Sequence, residues 1–324
     1  MSNKSIYRNL SHNIALSLGA AMKSLSDGLS RRSRLSVAFA AIVLSISAFA
    51  APPSDWWVHI ANDQAKNVQT MLTRGVDPNE LSAKGQPAIM QAIRDGAWNV
   101  YDVLAANPKT ALNAININRE TPLMYLAVLG ETKRSEDLIR RGAMVNRLGW
   151  TPLHYAASTG KVDTAKMLIA HKAIIDAPAP DGTTALMMAA HSGNEAMVQL
   201  LLNHGAEVTT QNLQKLDAAD WARNNKHEAL AAKLDALTNK VLQQRAAIRQ
   251  QNSVHAARPA HEGVDARQGA TQTQGTTDVK AVDLNDLDAD ASKPPKASKP
   301  SSNSSGTKST PYFDLERFND KPAD

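Results

Sequence analysis

Nine histidines and 31 carboxylates are the groups with which this 324-residue chain could do acid–base or metal chemistry. Their spacing argues against both. His154, His171, His191 and His204 are scattered along the chain, with no paired carboxylate and no His-Glu-x-x-His spacing to place two imidazoles on one helical face. No Gly-x-Ser-x-Gly elbow, phosphate loop or dinucleotide fingerprint is present. The chain has no cysteine, which removes thiolate zinc sites, iron–sulfur clusters and cysteine nucleophiles. These absences predict a protein that is not an enzyme and uses no cofactor and no metal.

The elements that carry these residues are more informative. Gly149 to Lys172 reads as two short antiparallel helices, with Thr151 as cap, Pro152 in the first turn and Gly160 free to end the first helix in left-handed geometry. Ala156 and Ala157 allow close approach, while Met167, Leu168 and Ile169 give the second helix an apolar side that one pair cannot bury. The pattern recurs. Pro87, Thr121, Thr151, Thr184 and Asp217 align, as do Ala92, Leu126, Ala156, Ala189 and Ala222. Helix-ending positions fall at Gly96, Gly130, Gly160, Gly193 and Lys226, spaced by 34, 30, 33 and 33 residues.

A period near 33 with Thr151-Pro152-Leu153-His154, Thr121-Pro122-Leu123, Gly142-Ala143 and Gly205-Ala206 resembles the ankyrin repeat. The resemblance implies an all-α solenoid of about six helix-turn-helix repeats with short hairpin fingers. The repeats are expected at about 54–83, 84–116, 118–147, 148–178, 181–210 and 215–237, with a helical extension to 250, so that 51–250 forms one domain. It also implies that His154 ties neighbouring fingers together by hydrogen bonds. A concave surface of finger tips and first helices would bind a partner protein of unknown identity. Its expected residues are Lys84, Gln86, Arg94, Asp95, Arg119, Glu120, Arg147, Trp150, Ser158, Thr159, Asp181, Thr183, His191 and Ser192. Mixed charge around an indole suits a protein partner. Met187 and Met188 lie on a helix and read as core.

Departures from the repeat carry expectations too. The first repeat is irregular, and Trp56 and Trp57 are expected to seal its open end. The second ends its second helix at Asn107-Pro108-Lys109 instead of Gly-Ala, which predicts a distorted, longer turn. Between Asn146 and Thr151 the connection is three residues short, so that finger should be stunted and the rim notched. Leu234, Leu237, Val241 and Ile248 form a stripe that is read as a cap, in a monomer, in preference to a two-copy coiled coil.

The ends of the chain differ in composition. Residues 1–50 hold six Lys/Arg and one acid, Asp27; removing them leaves 30 residues of each sign, so the net charge of +5 gives no support for nucleic-acid binding. Arg31-Arg32-Ser33-Arg34, the apolar run 35–50 and Ala48-Phe49-Ala50 read as a secretory signal cleaved after Ala50, with translation starting at Met1 or Met22. The expected location is the periplasm, with no membrane contact once the signal is removed. Alternatives are an uncleaved inner-membrane anchor and a secreted effector acting on host proteins. Residues 251–324 are rich in Ser, Lys, Pro and Asp and read as a disordered tail, in which Tyr312, Phe313 and Phe318 form a candidate docking peptide.

Overall fold

The structure is a computed structural model, and it describes residues 55–256 and Leu284. The expected leader and the C-terminal aromatic cluster lie outside the described residues. Twelve helices follow one another within them. They are α1 (Trp56–Ala61), α2 (Ala65–Thr73), α3 (Ala88–Asp95), α4 (Trp98–Ala106), α5 (Pro122–Leu129) and α6 (Thr132–Arg140), then α7 (Pro152–Ser158), α8 (Val162–Ala170), α9 (Ala185–Ser192), α10 (Glu195–Asn203), α11 (Ala218–Asn224) and α12 (Glu228–Ala256). They pair into six hairpins, and the first helices of successive hairpins pack side by side in one row. Among the described residues no strand forms; one isolated bridge joins Leu81 and Pro87.

The aligned small residues are the spine of that row. Ala92, Leu126, Ala156, Ala189 and Ala222 are each 0% exposed, as are Leu104, Leu138, Leu168, Leu201 and Leu234 in the second helices. Each such leucine contributes about 1.5–3 kcal/mol by leaving water, and only the neighbouring hairpin provides the shield. The family expectation of a nearest-neighbour solenoid is met.

The turn after each first helix is left-handed in all six repeats. Asp63, Gly96, Gly130, Gly160, Gly193 and Lys226 have φ of 52°, 68°, 80°, 65°, 69° and 66°. Asp63 adds the first repeat to the series, which the glycine pattern did not reveal. Its carboxylate accepts from Val100 N at 2.8 Å, joining the first repeat to the second. Gly193 is bound by sterics as well as by φ, because a Cβ there would collide with the His227 ring of the following repeat.

Helix starts use varied chemistry at one position. His154 Nδ1 accepts from Thr151 N at 3.2 Å, and Met124 Sδ accepts from Thr121 N at 3.4 Å in the corresponding place. Met187 and Met188 are buried, as expected of core. Trp56 is buried and Trp57 half-buried at the first repeat. The turn at Asn107-Pro108-Lys109 leaves helical geometry with Asn107 at φ −73°, ψ 123°, and borders a cleft of about 430 Å³. The last helix runs to Ala256, six residues past the expected end at 250. Leu234, Leu237 and Val241 are buried as a cap requires, and Ile248 is exposed. Arg245 fixes this helix by bonding Glu207 and, at 3.1 Å, Thr209. Among the described residues no helix is long and apolar enough to cross a membrane.

Candidate functional site

The fingers position the site. Complete fingers close with a backbone bond: Ser82 N to Gln86 O at 2.9 Å, Asn116 N to Glu120 O at 3.1 Å, Ala179 N to Thr183 O at 2.8 Å and Asn212 N to Leu216 O at 3.0 Å. Asn146 makes no such bond to Trp150, so the finger predicted to be stunted has lost its hairpin ladder. The same asparagine staples the repeat from behind. Its Nδ2 donates to Lys172 O at 2.7 Å and its Oδ1 accepts from Ile174 N at 2.9 Å. Asn113 and Asn79 do the same one and two repeats earlier, while Asp176 can only accept, from Glu207 N at 3.0 Å. Sequence reasoning missed this ladder, although asparagine at 79, 113 and 146 was its visible signal. Burial, then the charge of Glu207, raises the Asp176 pKa, partly offset by that hydrogen bond.

The histidine ladder has one rung. His154 Nε2 donates to Thr183 O of the next finger at 3.0 Å, a tautomer required by Nδ1 accepting from Thr151 N. Burial pushes its pKa down to about 4, against smaller upward effects of the Thr183 bond and Asp181. It is therefore a neutral structural tie, as the resemblance implied.

Around the stunted finger, fingers and first helices form one surface. Tyr155 of α7 donates to Glu120 Oε1 at 2.6 Å, and Asn116 and Tyr125 donate to Glu120 Oε2 at 2.8 and 3.4 Å. Arg147 NH1 donates to Arg119 O. Burial and the nearby Arg119 charge lower the Arg147 pKa. Arg119 is exposed and adopts φ 61°, where Gly85, Gly149 and Gly182 stand in other fingers. Among the described residues neither arginine forms an ion pair with an acid; ion pairs run instead along the other helices, as in Arg134–Glu131 at 2.7 Å. Trp150 lies edge-on to His154 with centroids 5.3 Å apart. In the same finger Leu148 is 97% exposed, and Ile117, 75% exposed, lies over Gly85 of the second repeat's finger. Neither was among the expected surface residues, because an apolar residue in a turn carries no periodic signal.

Of the fourteen expected surface residues, Lys84, Arg94 and Arg119 are exposed, and Asp95, Arg147, Trp150, Thr159, Asp181, His191 and Ser192 are half-buried. Gln86, Glu120, Ser158 and Thr183 are corrections: each is buried, at 7%, 1%, 5% and 0% exposure. Gln86, Glu120 and Thr183 stand one residue before the helix cap, where the chain turns inward. Ser158 bonds back to Tyr155 O at 2.8 Å. Lys84 and Arg94 lie on earlier repeats, and His191 sits 5.6 Å from Trp221 at the far end. Only Arg119, Arg147 and Trp150 are gathered with the exposed Leu148. Among the described residues no three His, Asp or Glu side chains cluster to hold a metal.

Comparison with known proteins places this geometry. A family model described as ankyrin repeats, three copies, matches residues 135–212. Neurogenic locus notch homolog protein 1 of Xenopus laevis is 30% identical over 129 residues, covering 39% of this chain and 5% of that protein. Ankyrin repeat and SAM domain-containing protein 6 of Rattus norvegicus is 29% identical over 132 residues, covering 39% of this chain and 15% of that protein. The chain thus spans a small fraction of the length of these relatives.

Proposed function

From the premise that this chain is an ankyrin-repeat protein, we propose that it is a non-catalytic module that binds a partner protein on its finger side, centred on Leu148, Trp150, Arg119 and Arg147, after export to the periplasm. One observation carries the reading: an almost fully exposed leucine stands beside two arginines that no acid of the described repeats neutralises, on the finger with no internal hydrogen bond. Trp150, Arg119 and Arg147 beside that leucine are of the residue types that dominate interface energies. Rigid flanking repeats hold it in place, so little ordering entropy opposes association. The N-terminal Arg-rich segment, apolar run and Ala48-Phe49-Ala50 support export.

The test uses cells producing the chain with Leu148→Asp and Arg119→Glu beside the unaltered chain. Fractionation should place both in the periplasm, and the partner that co-purifies with the unaltered chain should be lost from the variant at unchanged helix content. A partner retained by the variant refutes this surface, and a cytoplasmic chain refutes export.

A further inference from the structure

We propose that the chain's own C-terminal segment, residues 311–318 (Pro-Tyr-Phe-Asp-Leu-Glu-Arg-Phe), docks on the face around Leu148 and Trp150 and competes with the partner. The proposal rests on the reading of this face as the binding surface and adds its regulation.

Reach comes first. Leu284 is 2% exposed, and its backbone N donates to Gln199 Oε1 of α10 at 2.8 Å. The chain therefore meets the fifth repeat again 28 residues after the end of α12. From Leu284 to Tyr312 is a step of 28 residues, which extends to about 90 Å at most. Helices pack about 10 Å apart, so the stunted finger, one to two repeats from α10, is well within reach. A tether of this length holds its end at an effective concentration of order a millimolar, so even a weak contact is populated.

Chemistry selects the occupant. The face offers apolar Leu148 and the Trp150 indole, with Arg119 and Arg147 at its edge. Beyond Trp221 the sequence has no aromatic residue until Tyr312, Phe313 and Phe318, and this cluster also carries Asp314, Glu316 and Arg317. Aromatics match the apolar centre, and the two acids match Arg119 and Arg147. The other acidic stretch of the tail, Asp283 to Asp290, has no aromatic side chain, and its Leu284 is already committed to α10.

The experiment compares tryptic cleavage after Arg317 in the unaltered full chain, in the chain with Leu148→Asp and Arg119→Glu, and in a synthetic peptide of residues 309–320. Cleavage should be at least about tenfold slower in the unaltered chain than in the other two; equal rates in all three overturn the proposal. Leu148 is so exposed that its substitution leaves packing intact, and an unchanged melting temperature verifies this. A second measurement follows the labelled peptide by fluorescence anisotropy. It should bind the chain carrying Tyr312→Ser, Phe313→Ser and Phe318→Ser at least about tenfold more tightly than the unaltered chain, and no binding to the triple variant overturns the proposal. A partner lost on Leu148→Asp together with equal cleavage rates would remove the tail contact and leave the binding face standing. Protection of Arg317 with no partner captured would do the reverse.

Discussion

The two junctions of the fourth repeat are built differently. Toward the fifth repeat, a complete hairpin finger closes on itself and a neutral buried histidine ties it down. Toward the third, the finger is short, has no hairpin bond, and presents a nearly bare leucine beside two arginines. The apolar core is continuous through both, since Leu126, Ala156 and Ala189 are all fully buried. Cohesion of the solenoid therefore lives in the helices, and the fingers are free to differ. One of them is closed by a backbone bond and a buried histidine, and the other leaves a leucine in solvent.

The largest expected effect lies on the rigid junction. His154 has a folded pKa of about 4 against an ordinary 6.5. Between those values the unfolded chain binds more protons than the folded one, so stability is full above pH 6.5 and falls as pH drops toward 4. The loss reaches about 3 kcal/mol. Urea unfolding at pH 7 and pH 4.5 should show it, and His154→Met should flatten that dependence. Methionine stands at the same place in the third and fifth repeats and caps the helix start at Met124. Its thioether cannot donate to Thr183 O, so the variant should be less stable at pH 7 by about 1–2 kcal/mol. His191 and Glu207, whose pKa values are also lowered, add slope of the same sign, so it is a slope wholly unchanged by His154→Met that would refute the role of His154.

A smaller effect separates the staples. Asn146→Ala removes bonds to Lys172 O and Ile174 N where no hairpin ladder shares the load, whereas Asn113→Ala removes equivalent bonds behind a complete finger. Each loss is expected to cost about 1–2 kcal/mol, with Asn146 the more expensive. Equal midpoints in urea would show that the missing ladder is made up elsewhere, and the contrast between the two junctions would narrow.

Much of this was legible in the sequence. Spacing located the helix pairs, because they follow from periodic residue types with few conformational options, while the stunted finger at 147–150 and the structural role of His154 came from the resemblance to the ankyrin repeat. The burial of Gln86, Glu120 and Thr183 was not legible. A polar residue one position before a helix cap has the composition of a surface and the geometry of an interior, and only the neighbouring finger decides. Glu120 is the clearest example, since the hydroxyl that reaches it at 2.6 Å comes from Tyr155, 35 residues later. Leu148 was overlooked for the opposite reason: an apolar side chain in a turn carries no period, so nothing in the sequence told exposure from burial.

The smallest effect on stability should come from Leu148 itself. At 97% exposure the side chain has almost no burial to lose, so Leu148→Ser should move the urea midpoint by less than about 0.5 kcal/mol. A structural leucine at the equivalent depth of Leu168, which is fully buried, would instead cost about 2–5 kcal/mol on truncation to alanine. A large, solvent-facing apolar residue that contributes nothing to the fold has its apolar surface available to a ligand. If Leu148→Ser proves destabilising, the short finger is packed against part of this chain, and the difference between the two junctions lies in what covers them.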